Sequence, residues 1–309
     1  MRVVVTGGAG FIGSHVVDRL IDEGHDVVAL DDLSSGKRAN VNTKARLAVV
    51  DVRDAAAVDG VFAEHRPDAV SHQAAQVSVS VSTREPERDA EINVLGSLNV
   101  IRAAAKHGTK RFVFASTGGA IYGNVADGAA DLDRAPLPMS PYACSKFAVE
   151  QYLRWARVDL GLASTILRYA NVYGPRQDPH GEAGVVAIFS ERVLAGQPVQ
   201  VNARTEQGDD GCVRDYVFVD DVVRANVRAI NGAIDRPIAN VGSGVPTTTR
   251  ALLEGIERAS GKKASWTFGA RRAGDVERSL LVPTLDAMGS VTPLDDGLAR
   301  TVSWFRAKA

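Results

Sequence analysis

Val3-Val4-Val5-Thr6-Gly7-Gly8-Ala9-Gly10-Phe11-Ile12-Gly13 runs a short apolar segment into glycines at positions 7, 10 and 13. An apolar run followed by such a turn predicts a strand entering a tight bend. Beyond it Ile12, Val16, Val17, Leu20 and Ile21 recur at helical spacing, and Gly24 is placed to close the helix. A second apolar run, Val27-Val28-Ala29-Leu30, stops at Asp31. Strand, glycine turn, helix and acid-ended strand make the βαβ unit that binds a dinucleotide. Gly7 allows the turn, Gly10 the approach of a pyrophosphate, and Gly13 close helix–strand packing. The helix N-terminus offers unpaired N–H groups to the phosphates. Asp31, with Asp32 beside it, suits ribose hydroxyls and repels a 2′-phosphate, so NAD is expected despite the nearby Lys37 and Arg38.

The chain has 309 residues, 45% of them apolar and 24% charged, as in a soluble globular protein of one large or two smaller domains. Its formal net charge of −1 points to neither nucleic acid nor an anionic membrane as partner. No apolar run approaches the ~20 residues that span a bilayer. The first strand starts at Met1, leaving no room for a signal peptide. Cys144 and Cys212 form no metal or disulfide pattern. A cytoplasmic enzyme without a metal is expected.

Short apolar runs alternate with helical patterns up to about residue 168. Leu47 to Val50 ends in Asp51, and Asp54 reads as the N-cap of a helix reaching Glu64. Ala69 to His72 is a strand, Glu87 to His107 one long helix (Ile92, Leu95, Leu98, Ile101), and Arg111 to Ala115 a further strand. Tyr142 to Leu160 is a second long helix and Ser164 to Leu167 the sixth strand. Strands apolar on both faces and separated by helices imply an α/β fold with a doubly wound parallel sheet. Ligands of such a sheet bind beyond the carboxyl ends of its strands. After Arg168 the rhythm breaks: residues 173–184 are rich in Gly, Pro and charge, and 202–215 reads as a polar loop. Helices are expected at 185–195, 220–231, 248–260 and 294–307. The boundary falls near 170, giving a Rossmann domain at 1–170, a smaller mixed α/β lobe at 171–309, and a segment of about 215–245 packing back onto the sheet.

Tyr142-Ala143-Cys144-Ser145-Lys146 puts a phenol and an ammonium at i and i+4 on one helical face, behind Ser140 as N-cap and Pro141. At that spacing Lys146 is expected to lower the phenol's pKa and to donate to a cofactor ribose, leaving Tyr142 as a general base.

With these motifs in hand the chain resembles the extended short-chain dehydrogenases/reductases, and within them the UDP-sugar 4-epimerases. The likeness runs through Gly7–Gly13, His72-Gln73-Ala74-Ala75, Asn93, Tyr142 with Lys146, Arg168-Tyr169-Ala170-Asn171, Tyr173-Gly174-Pro175-Arg176-Gln177, Arg214-Asp215-Tyr216, Val219-Asp220-Asp221-Val222 and Gly274-Asp275. It implies that Gly7, Gly10, Phe11, Ile12 and Gly13 hold the pyrophosphate of NAD, and Asp31 and Asp32 the adenosine ribose. Asp51 and Val52 would face the adenine, while Ala74, Ala75, Gln76, Asn93, Ser116 and Tyr169 line the rest of the cofactor site. Tyr142 would be the base, Lys146 its partner. Ser78, Asn171, Val186, Arg192, Arg214, Arg272 and Asp275 would bind the UDP-sugar, with Arg271 competing with Arg272. A guanidinium fork suits a diphosphate. The resemblance also implies a homodimer formed through the helices 87–107 and 142–160.

In one place the chain departs from the family's pattern. The family's third catalytic group is a hydroxyl beyond the fifth strand, yet in Ala115-Ser116-Thr117-Gly118-Gly119-Ala120-Ile121-Tyr122-Gly123 the expected position holds Gly118. Thr117 is taken for that group, with Ser116 the alternative. The implied reaction is removal of the C4 hydroxyl proton by Tyr142 with hydride transfer to NAD, turning of a 4-keto sugar, and return of hydride to its other face. UDP-glucose and UDP-galactose are the expected pair. UDP-glucuronate and UDP-galacturonate are the alternative if Arg192 meets the carboxylate. Ser279, four residues after Asp275, leaves room for a larger sugar such as an N-acetylated one. A 4,6-dehydratase needs acids beside Thr117, where Gly118 and Gly119 stand. A non-catalytic NAD sensor has no need of Tyr142 with Lys146.

Overall fold

The computed structural model describes residues 1–179, 184–234, 236–271 and 276–308. The opening apolar run is strand β1 (Arg2–Thr6). Gly7 then takes φ +66°, a left-handed conformation open to glycine, and the chain enters helix α1 (Phe11–Asp22). α1 buries Val16, Val17 and Leu20 on the expected face. β2 (Asp26–Asp31), β3 (Arg46–Val49), α2 (Ala55–His65) and β4 (Ala69–His72) come next. Asp54 caps α2 by accepting from the Ala56 and Ala57 N–H groups.

After β4 stand α3 (Val79–Arg84), α4 (Pro86–Ala90), a π-helical segment (Glu91–Gly96), α5 (Ser97–Lys106), β5 (Arg111–Thr117), α6 (Gly118–Ile121), α7 (Pro141–Asp159) and β6 (Ser164–Tyr169). The single helix expected from Glu87 to His107 is therefore interrupted. A π turn accommodates one extra residue and rotates the helix beyond it. As a result Asn93, Gly96, Ser97, Val100 and Ile101 face inward, while Leu95 of the apolar pattern is 55% exposed.

The remainder contains β7 (Asn171–Tyr173), α8 (Val185–Leu194), β8 (Val199–Asn202), β9 (Val213–Phe218), α9 (Val219–Ile230), β10 (Ile238–Val241), β11 (Pro246–Thr248), α10 (Thr249–Ser260), β12 (Trp266–Gly269), β13 (Arg278–Ser279), α11 (Leu285–Met288) and α12 (Leu294–Lys308). The polar segment 202–215 is not all loop, because β9 begins at Val213 and pairs with β7, β11 and β13.

Seven strands form the main sheet in the order β10-β6-β5-β4-β1-β2-β3, parallel at β3–β2, β2–β1, β1–β4 and β4–β5. This is the expected doubly wound α/β architecture. Val4, Leu30, Val70, Phe112 and Phe114 of the sheet pack against Phe62 of α2, Ile101 of α5 and Leu153 of α7. Winding reverses between β1 and β4, so the crevice for a ligand opens where Gly7 and Ala74 leave those strands.

The chain divides into two compact units. The first is Met1–Thr117, Pro138–Arg168 and Val223–Ala239; the second is Gly118–Leu137, Tyr169–Val222 and Asn240–Ala309. In the second, β7, β9, β11 and β13 share one sheet, β8 pairs with β12, and α8, α10 and α12 pack together.

Candidate active site

In the first unit the glycine turn is a cradle with no room for side chains. A Cβ at Gly13 would overlap the Gly7 carbonyl oxygen, and one at Gly7 would lie 2.7 Å from the Ala74 nitrogen. Gly10 caps α1 with extended backbone and no side-chain hydrogen bond. The first-turn N–H groups beside Phe11, Ile12 and Gly13 keep their capacity for an anion. Asp31, at the end of β2, accepts from the Ala9 N–H (2.9 Å) and the Leu33 N–H (2.8 Å) and so braces the turn. Burial pushes its carboxyl upward against those two bonds. Asp32 is exposed, one oxygen engaged by Ser34. The Arg53 guanidinium grips the Asp51 carboxylate at 2.5 Å and holds it below the usual carboxylate range. Val52 is buried, and a Cβ on Gly96 would come 2.7 Å from it. A glycine cradle at a bare helix end with acids behind it fits a dinucleotide.

Beyond β4, the Thr6 hydroxyl accepts from the Gln73 and Ala74 N–H groups, and the His72 ring sits between the Thr6 and Ser97 hydroxyls. Burial lowers that imidazole to about 3, which keeps it neutral and makes it a strut. Ala75 and Gln76 are half-buried. Asn93 accepts from the Gln76 N–H and donates to the Gln76 carbonyl, both at 2.9 Å. Ser78 is buried, and its hydroxyl caps α3 by accepting from Val81 N–H at 2.9 Å.

Three consecutive residues at the end of β5 are tied to three successive turns of α7. The Lys146 ammonium donates to the Ala115 carbonyl (2.9 Å), the Ser116 hydroxyl donates to Glu150 (2.6 Å), and the Thr117 hydroxyl acts on the Tyr142 phenol, favouring its charged form. This separates the two hydroxyl candidates: Ser116 is engaged by Glu150, and Thr117 is the one that acts on the Tyr142 phenol. Arg168, from β6, clamps Glu150 with bonds of 3.0 and 2.6 Å, forming a buried ion pair. The expectation that Lys146 lowers the phenol is not met in this chain. Burial pushes Tyr142 up, the charge of Asp89 pushes it further, and only the Thr117 bond works the other way. Lys146 itself falls to about 8 because it is buried, with Asp89 opposing the fall.

In the second unit Arg214 lies in β9 rather than in a loop, in register with Thr247 and Ser279. Asn171, on the neighbouring β7, donates to the Asp215 carbonyl at 3.1 Å. A Cβ on Gly119 would lie 3.7 Å from Asn171 Nδ2 and 3.9 Å from Ser279 Oγ, so these three meet. Val186 is buried in α8, and Tyr169 is buried at the end of β6. Arg192 is exposed near the end of α8, some way around the helix from Val186. It is not brought into this group, and the uronate alternative loses its cation. Arg271 pairs with Glu277 at 2.9 Å. Arg272 and Asp275 lie outside the described residues. Among the described residues no cluster of three or more His, Cys, Asp or Glu is arranged for a metal, and no helix is long and apolar enough to cross a membrane.

Two buried groups of this site are missing from the sequence-based expectations. Glu150 continues the four-residue spacing from Tyr142 through Lys146, a visible signal. Asp89 stands four residues before Asn93, but the π segment between them hides the connection.

Known proteins resemble the chain along its length. The profile of the NAD dependent epimerase/dehydratase family matches residues 3–242. The UDP-glucose 4-epimerase of Mycolicibacterium smegmatis is 44% identical over 318 residues, covering 100% of both chains. The crystal structure of the Thermus thermophilus UDP-glucose 4-epimerase in complex with NAD is 50% identical, covers 100% of both chains and has a TM-score of 0.95. That of the Thermotoga maritima UDP-glucose 4-epimerase with UDP-glucose is 46% identical, covers 100% of this chain and 99% of the other, and has a TM-score of 0.94. Likeness of this extent, on a fold already built around a glycine cradle, means that the chain belongs to the NAD dependent epimerase/dehydratase family, among the extended short-chain dehydrogenases/reductases.

Proposed function

We propose that this chain is an NAD-dependent UDP-sugar 4-epimerase that interconverts UDP-glucose and UDP-galactose. The observation that carries the reading is the placing of Tyr142 and Lys146 on one face of α7, with the Lys146 ammonium anchored on the Ala115 carbonyl at the end of β5 and Thr117 acting on the phenol. Tyr142 takes the proton of the C4 hydroxyl and returns it after the sugar has turned. Thr117 steadies the phenol oxygen and favours its charged form. Lys146 spends one donor on the Ala115 carbonyl and keeps two for the cofactor ribose. NAD held by the glycine turn and Lys146 would supply a reversible hydride acceptor for C4.

For the nucleotide, Arg214 is assigned to the diphosphate, with Asn171 and Val186 beside the UDP. Gly119 and Ser279 add little bulk to the sugar's surroundings. Ser78 is assigned to the sugar, and the glycine turn with Asp31, Asp32, Asp51, Val52 and Asn93 to the cofactor. The relatives named UDP-glucose 4-epimerase support this choice of hexose. Exposed Leu95, Tyr152, Trp155 and Leu160 on the π segment and α7 side support a homodimer. The free thiols Cys144 and Cys212 suit the reducing cytoplasm.

The test is incubation with UDP-glucose, UDP-N-acetylglucosamine or UDP-glucuronate, each product being resolved by chromatography. UDP-galactose should form fastest, and Tyr142→Phe should lower the rate about 10²- to 10⁴-fold. Failure of the wild type to form UDP-galactose overturns the reading.

A further inference from the structure

Asp89 closes α4 with 1% of its surface exposed. One carboxylate oxygen accepts from Gln76 Nε2 (2.7 Å) and Asn93 Nδ2 (3.0 Å). The other is buried and has no hydrogen-bond partner among the described residues. Asn93 also donates to the Ser145 hydroxyl (3.3 Å), which donates to the Tyr142 carbonyl (3.0 Å). The carboxylate is thus joined, through Asn93 and Ser145, to the first turn of the helix that carries Tyr142 and Lys146. α4 packs on α3 and α7. Arg84 at the end of α3, Glu85 after it, Glu87 and Arg88 on α4, and Glu91 on the π segment are all exposed. On α7 Lys146 and Glu150 are buried and Tyr142 is half-buried; of these, Lys146 and the Tyr142 phenol respond to Asp89.

A buried carboxylate with half its acceptors empty is costly, and a cation nearby offsets the cost. We propose that Asp89 is a positioning residue of the proposed active site, serving as the buried counter-charge of Lys146 and as the anchor that sets Asn93 and Gln76. The inference rests on the reading of Tyr142 and Lys146 given above. Its physical content concerns charge rather than shape. Asp89→Asn keeps the size and one acceptor oxygen while removing the negative charge.

Without that charge Lys146 gives up its proton at a lower pH, and so does the Tyr142 phenol. Both limbs of the bell-shaped profile of kcat/KM should therefore move to lower pH, by about one pH unit. A residue that only fills space lowers the rate without moving either limb. The second measurement needs no turnover. Unfolding by urea is followed for wild type and Asp89→Asn from pH 6 to 9. In the interval where wild-type Lys146 holds its proton and the variant's does not, the folded variant carries one proton fewer. Its stability then climbs relative to wild type as pH rises toward about 8, and the difference levels off above that.

A difference that stays constant with pH overturns the proposal, as does a profile that falls without shifting. If the wild type interconverts no UDP-hexose, the functional reading fails on its own while the unfolding series still decides the role of Asp89. If Asp89→Asn does not fold alone, it is placed on Lys146→Met, where the anion has lost its partner. The double variant should then be the more stable of the two, and a less stable double variant overturns the proposal.

Discussion

At Thr117 a single hydroxyl stands where the family's pattern would put its counterpart one residue later, and it still reaches the phenol of Tyr142. Thr117→Val should lower kcat about 10- to 100-fold, the worth of one hydrogen bond to a group that becomes charged, with KM little changed. Thr117→Ser should retain most of the rate, and steady-state kinetics with UDP-glucose checks both. Tyr142 and Lys146 are legible in the sequence because their spacing alone sets a shared helical face. The choice between Ser116 and Thr117 is not, since it turns on Glu150, 34 residues beyond Ser116, and on Arg168 behind it. The phenol's upward displacement is equally hidden, because burial and the charge of Asp89 exist only in the folded chain.

At the scale of elements, α7 is held to β6 by the buried Glu150–Arg168 ion pair and to β5 by the bonds from Lys146 to Ala115 and from Ser116 to Glu150. Glu150→Gln removes the buried negative charge that the Arg168 guanidinium clamps and should cost about 3–5 kcal/mol of stability. Combining it with Arg168→Met should recover part of the loss, and urea unfolding of the three proteins measures it. The alternation of strands and helices is legible because both faces of a parallel strand are apolar. The interruption at Glu91–Gly96 is not. Ile92, Leu95 and Leu98 suggest an inward stripe, yet it is Asn93, Gly96 and Ser97 that are buried. Polar and small residues occupy the inner face there because it serves Gln76 and Asp89, so composition points away from it. The strand that carries Arg214 escapes notice for a related reason: Val213-Arg214-Asp215-Tyr216 looks polar until its partners are known.

For the whole molecule, the outward apolar residues carry the proposed pairing of two chains. Leu95→Glu combined with Trp155→Glu should convert a dimer into a monomer in sedimentation experiments, with folding intact, because both side chains are more than two-fifths exposed. The division of labour along the chain is only partly legible, since the first unit is assembled from three separate segments and short runs do not reveal distant partners. β10 lies outside β6 in the sheet, where the Ile166 N–H donates to the Pro237 carbonyl and the Ala170 N–H to that of Val241. A fragment ending at residue 170 should accordingly aggregate, whereas one ending after 241 should stay dispersed, as light scattering would report. On the ribosome, then, the nascent polypeptide must wait some seventy residues with one flank of its sheet uncovered, and a chaperone that shields that flank would serve it during the delay.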